Sequence, residues 1–184
     1  MVERIYTLPQ DDFSVRKFTP TGPVRQRHPQ CEVQIREYSG GVESPNNDGQ
    51  IDDELRYSGY FAFVRSPYRR AHAIVVLYDV TSRQSFERAI EYYIVKIKHY
   101  GRRGCPVLLV ATKCDLLSQR QVSRSEGEAL ATKHGLHFTE LSAKADPDRV
   151  FNDWLAKLLE WAEEWTCDNP DAPQLRTTQN KHQT

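Results

Sequence analysis

Two uninterrupted apolar runs of strand length, Ala73-Ile74-Val75-Val76-Leu77-Tyr78 and Pro106-Val107-Leu108-Leu109-Val110-Ala111, flank a stretch in which Phe86, Ile90, Ile94 and Ile97 recur at helical spacing. Strands without polar alternation offer no face to water, and strands joined through a helix run parallel. The pattern therefore restricts the fold to an α/β arrangement, a mostly parallel sheet with helices on both faces. A helix is predicted from Arg83 to Tyr100, and His137-Phe138-Thr139-Glu140-Leu141 supplies a third strand. Ser123 to His134 forms a second helix, with Ser123 as cap, Glu126 three residues on and Gly135 as the stop. Val150, Phe151, Trp154, Leu155, Leu158, Ala162 and Trp165 mark a third helix docked on the sheet, its aromatic residues serving the core.

A chain of 184 residues with 39% hydrophobic content can bury one core. Its 25 basic and 25 acidic side chains cancel, which leaves no nucleic-acid footprint; a monomer that associates through specific contacts is expected. Cys31, Cys105, Cys114 and Cys167 form no C-x-x-C pair, so neither a disulfide framework nor a structural zinc site is expected, and a reducing, cytoplasmic setting fits. The sequence has no apolar run long enough to span a bilayer, and Met1-Val2-Glu3-Arg4 does not read as a signal sequence. His134 and His137 lack a third metal ligand nearby, Arg102-Arg103-Gly104 reads as a solvated turn, and no G-x-S-x-G elbow or H-E-x-x-H helix supports hydrolase chemistry.

Chemistry concentrates in Thr112-Lys113-Cys114-Asp115 and Leu141-Ser142-Ala143-Lys144, each just after a predicted strand. An ionised carboxylate has two acceptor oxygens, and guanine presents two donors side by side, its ring N–H and its exocyclic amine; adenine cannot satisfy that fork. Taken singly, either motif is weak evidence, since Asp115 also reads as the cap of the following turn and Ser142 to Lys144 as an ordinary strand-to-helix loop. Their order, together with Tyr78-Asp79-Val80-Thr81-Ser82-Arg83-Gln84-Ser85-Phe86 and Gln121-Val122-Ser123-Arg124-Ser125-Glu126-Gly127-Glu128-Ala129-Leu130-Ala131, favours a pocket. T-K-x-D with S-A-K resembles the Ras/Rab superfamily of small GTPases. The resemblance implies a three-layer, P-loop-NTPase-like small G domain binding GTP or GDP with Mg2+, and effector or regulator proteins at a switch-like surface. Thr112, Lys113, Asp115, Ser142, Ala143 and Lys144 would then hold the base. Lys113 would lay its stem along it, the Ala143 N–H would reach the guanine carbonyl, and Lys144 would cover the other face.

In the first third the resemblance thins. Cys31-Glu32-Val33-Gln34-Ile35-Arg36-Glu37-Tyr38-Ser39-Gly40-Gly41 resembles the family's strand into D-T-A-G-Q. Glu37 then stands at the magnesium-linked aspartate, Gly40 at the glycine whose N–H meets the γ-phosphate, and Gly41 at the glutamine that orients the attacking water, which glycine cannot do. A second alignment stays open: it puts Asp53 at the aspartate, at the cost of Arg56 for the glycine and of the preceding strand. With Glu37 preferred, Val42 to Asp53 is an inserted loop enlarging the second switch, before Tyr68-Arg69-Arg70-Ala71-His72 rejoins the family pattern. Asp11-Asp12-Phe13 and Phe18-Thr19-Pro20-Thr21-Gly22 resemble the first switch, where Thr21 would serve Mg2+, and read equally as a proline-containing turn. The stretch from Thr21 to Glu37 is short for the family's hairpin, so one strand is expected to be shortened or lost.

Nowhere do the 184 residues contain G-x-x-x-x-G-K-[ST], the loop that holds phosphates and magnesium. Met1 to Tyr6 resembles the helix that follows that loop, so the expected domain, residues 1–166, lacks its first strand and phosphate loop and is followed by a flexible polar tail, 167–184. Each backbone group left unpaired by the missing central strand would cost about 1–3 kcal/mol if buried. The ending Asn180-Lys181-His182-Gln183-Thr184 offers no prenylation cysteine, and no lipid anchor is expected. Nucleotide binding is expected to be weak or absent, of about millimolar strength, with the Mg2+ site in question and no hydrolysis. The resulting expectation is a protein-interaction module in signalling or trafficking; the alternative is a GTP-hydrolysing switch of which this is a truncated or alternative-start form.

Overall fold

A computed structural model describes residues 14–18, 31–35, 68–144 and 147–173. Along the chain these are β1 (Ser14–Phe18), β2 (Cys31–Ile35), β3 (Ile74–Asp79), a long helix α1, β4 (Val107–Thr112), a 3-10 turn at Leu117–Gln119, α2 (Arg124–His134), β5 (His137–Glu140) and α3 (Pro147–Asp168). β3, β4 and β5 form a parallel sheet in that order, with Val76 opposite Leu109 and Leu109 opposite Phe138.

β4 is central, and its apolar run is buried from Val107 to Ala111 because helices cover both faces. On one side Val107, Leu109 and Ala111 join Val76 and Tyr78 of β3 against Phe86, Ala89, Ile94 and Ile97 of α1 and Leu130 and Ala131 of α2. On the other, Leu108 and Val110 meet Leu158 of α3, with Trp154 and Trp161 beside them. This is the three-layer α/β architecture expected of the sequence pattern.

α1 occupies the span expected but is not uniform: α-helical Arg83–Arg88 passes into a π-helical segment, Ala89–Ile94, and back to α-helical Val95–Tyr100. Its buried residues are Phe86, Ala89, Ile94, Ile97 and Tyr100. The step from Ala89 to Ile94 spans five residues, which would swing Ile94 off the face of a regular α-helix; the wider i→i+5 turn keeps both against the sheet. Ile90, read as a core position from its spacing, is only partly buried. α2 starts and stops as its sequence predicts: Ser123 and Glu126 form a reciprocal capping box, and Gly135 takes the left-handed conformation at φ 67°.

Three features differ from expectation. β3 is covered on one face only in part, since Leu77 is 59% exposed, and no strand among the described residues pairs with its outer edge. Between Thr21 and Glu37 the described strand is Cys31–Ile35, and its antiparallel partner is Ser14–Phe18, upstream of Thr21, with Arg16 opposite Val33; Val33 packs on Leu155 and Ala156 of α3. At the other end, α3 continues past residue 166 to Asp168, and Ala172 is buried beside Cys105 and Trp165. Trp165 Nε1 donates to the Arg103 carbonyl at 3.1 Å, and the Arg102 guanidinium donates to the Asp171 and Arg69 carbonyls, so the chain remains fastened to the core beyond the helix.

Candidate functional site

The carboxyl ends of parallel strands are where an α/β sheet exposes loops without covering them, and ligands of such sheets bind there. β3, β4 and β5 deliver Asp79, Thr112-Lys113-Cys114-Asp115 and Ser142-Ala143-Lys144 to that one edge. The loops are tied by their backbones. Leu141 N–H donates to the Ala111 carbonyl at 2.9 Å, and Cys114 N–H to the Leu141 carbonyl at 3.4 Å. Thr112 Oγ1 donates to the Tyr78 carbonyl at 2.8 Å, linking the ends of β3 and β4.

Asp115 is exposed, and its Oδ1 accepts a hydrogen bond from the buried Ser142 hydroxyl at 2.6 Å. Ser142 Oγ in turn accepts from the Lys144 backbone N–H at 3.3 Å, so the two motifs form one hydrogen-bonded unit. The Ser142 hydrogen bond holds the Asp115 carboxyl below the usual carboxylate range, with the Lys144 charge assisting. Asp115 is thus an anion at neutral pH, the form that can accept two parallel donors. Ala143 and Lys144 are exposed in the adjoining turn. Cys114 lies half-buried between Lys113 and Asp115 in the chain, its thiol pKa raised by burial and then by Glu140.

Lys113 has φ 60°, and it is the only non-glycine described residue with positive φ. Its Nζ lies 2.5 Å from Asp79 Oδ2. Asp79 Oδ1 accepts from the Thr81 backbone N–H at 2.8 Å and from the Thr81 hydroxyl at 2.7 Å. Burial raises the Asp79 pKa, but the bonds from Lys113 and Thr81 outweigh it, and the net direction is down. Asp79 is not among the sequence-predicted site residues although it stands within the motif that carries the resemblance. The available signal was an acid at the carboxyl end of a strand neighbouring the one that leads into Lys113.

The structure therefore brings together Thr112, Lys113, Asp115, Ser142, Ala143 and Lys144. Thr21, Glu37, Gly40 and Gly41 lie outside the described residues, as do the Val42–Asp53 loop and Asp53 itself. No group of three His, Cys, Asp or Glu able to hold a metal ion occurs among the described residues. Nor is any helix there long and apolar enough to cross a membrane. His134 and His137 end α2 and open β5; the His137 ring stacks on Trp161 with centroids 3.5 Å apart.

The model of the Ras family matches residues 51–160, which takes in Asp53, Asp79, Lys113, Asp115 and Ser142 and begins downstream of Glu37, Gly40 and Gly41. Ras-related protein Rab-26 of Rattus norvegicus is 35% identical over 96 residues, 52% of this chain and 37% of that protein. Ras-related protein RIC1 of Oryza sativa subsp. japonica is 40% identical over 95 residues, 52% of this chain and 46% of that protein. Ras-related protein Rab-10 of Caenorhabditis elegans is 32% identical over 137 residues, 70% of this chain and 68% of that protein. The chain thus spans less than half the length of the first two relatives. With the family model covering more than half of the chain, and with the fold and the paired motifs agreeing, this chain belongs to the Ras family of small GTPases.

Proposed function

We propose that this chain reads the guanine base without hydrolysing GTP, and acts as a protein-interaction module in intracellular signalling or trafficking on the cytoplasmic side. The observation that carries the reading is the Asp115–Ser142–Lys144 unit, an ionised carboxylate held at 2.6 Å by a buried hydroxyl beside an exposed turn. Family members generally bind GTP or GDP with Mg2+ and meet effectors and regulators. The 184 residues carry the base-reading motifs of that activity but no G-x-x-x-x-G-K-[ST] loop. Affinity then comes from the base and a few hydrogen bonds, each worth about 0.5–1.5 kcal/mol net, and is weak. Thr21 and Glu37 are the residues proposed for Mg2+ and Gly40 for the γ-phosphate, and no step is routed through them; the enlarged second-switch loop is proposed as the partner surface.

Calorimetry tests the base reading. Guanosine and GDP should bind alike and better than adenosine and ADP, and Asp115→Asn should favour xanthosine, whose extra carbonyl accepts from the amide. Equal binding of guanine and adenine nucleosides would remove the assignment. A second reading, a GTP-hydrolysing switch of which these residues are part, is favoured by the 37% coverage of Rab-26. Single-turnover phosphate release with GTP and Mg2+ separates the two: no rate above background is expected, and a clear rate would establish the second.

A further inference from the structure

Lysine on a surface is a poor wall. Its four-carbon stem samples many rotamers, and the Lys113 side chain is 57% exposed. A flat base packed along such a stem would have to order it on binding, which subtracts from affinity. Here the stem is fixed at both ends. Its root is a left-handed backbone at φ 60° between β4 and the Asp115 loop, and its head lies 2.5 Å from Asp79 Oδ2. Asp79 is fixed in turn: its side chain is 21% exposed, Oδ1 accepts twice from Thr81 at 2.8 and 2.7 Å, and its backbone N–H donates to Ser85 Oγ at 3.1 Å. Its position at the end of β3 opposite Thr112 sets it one strand away from Lys113.

We propose that Asp79 is a positioning residue of the base site, holding the Lys113 ammonium so that the lysine stem stands pre-formed as one wall of the guanine pocket. The proposal rests on the guanine reading of Asp115, and it assigns to a carboxylate of this chain the task of fixing the lysine head. The pairing does not involve nucleotide phosphates, so the wall is ready for a ligand as small as guanosine. Asp79 acts through Lys113 and does not itself touch the base.

The test is a double-mutant cycle with guanosine as the probe, binding measured by calorimetry on wild type, Asp79→Asn, Lys113→Met and the double variant. Asp79→Asn should weaken guanosine binding about 3- to 10-fold, the scale of one side chain left to be ordered on binding. In the Lys113→Met background it should cost nothing further. NMR of the lysine ammonium group supplies an independent readout: a Lys113 signal protected from exchange in the free wild type should disappear in Asp79→Asn, while the Ser142 hydroxyl signal persists. Thr81→Val leaves the carboxylate but removes one of its donors, should give an intermediate loss, and serves if Asp79→Asn does not fold. Wild-type guanosine affinity in Asp79→Asn or Thr81→Val, or a loss in Asp79→Asn that adds in full to that of Lys113→Met, would overturn the proposal. A wild type that binds guanosine no better than adenosine would instead overturn the base reading on which it rests.

Discussion

At the scale of single residues, Tyr78 and Gly127 show how closely α2 rides on the sheet. Tyr78 is 2% exposed, its hydroxyl has no hydrogen-bond partner among the described residues, and burial, then Glu140, pushes its pKa up to about 12. A Cβ on Gly127 would stand 2.5 Å from that hydroxyl and 2.6 Å from the Phe138 ring. Tyr78→Phe should therefore raise stability by about 1 kcal/mol, because it removes an unsatisfied polar group, and Gly127→Ala should lower it by about 1–3 kcal/mol despite alanine's better helix propensity. Thermal melts of both variants check the pair. Asp115 gives a pH prediction. Its pKa is lowered by the Ser142 bond, so the anion persists below the ordinary aspartate value of about 3.9. Guanosine affinity should be flat from pH 7 to about 4 and fall only as pH drops through the depressed value; a titration showing loss near pH 5 would contradict it.

At the scale of elements, α2 was the most legible part of the chain, since capping is local chemistry. Ser123, Glu126 and Gly135 act where sequence spacing puts them. Ser123→Ala should cost about 1 kcal/mol, measurable by urea unfolding. Glu126 has its pKa lowered to about 2, by the Arg83 guanidinium first and then by Ser123, so its contribution is present above the ordinary glutamate pKa and fades as pH falls toward about 2. The stability gap between wild type and Glu126→Gln should narrow over that window. The π segment of α1 was not legible, because it answers to the packing of Ala89 and Ile94 against the sheet and not to any helix signal of its own. The Asp79–Lys113 pair was hidden for a related reason. Its partners are far apart in sequence and meet only once β3 and β4 lie side by side, whereas the Asp115 and Ser142 motifs carry their chemistry in residue type and order. The pairing of the first hairpin was not legible, because the strand that partners Cys31–Ile35 lies upstream of Thr21.

At the scale of the whole molecule, the sheet has a strong centre and an exposed side. Leu109 on β4 is fully buried, and Leu77 on β3 is 59% exposed although both lie in apolar runs of the same length. Leu109→Ala should cost about 2–5 kcal/mol and Leu77→Ala less than about 1 kcal/mol, a contrast that chemical denaturation resolves. The outer edge of β3 also shapes how the molecule breathes. Ile74 N–H donates to the Pro106 carbonyl and Val80 N–H to the Thr112 carbonyl, so with the two-residue alternation of a strand the amides of Val76 and Tyr78 face β4, and those of Val75 and Leu77 face the other way. Deuterium uptake should therefore alternate along β3, slow at Val76 and Tyr78 and fast at Val75 and Leu77, while β4 exchanges only with global opening. One strand would then carry two clocks, and a partner that settled against that edge would register as the slowing of every second amide.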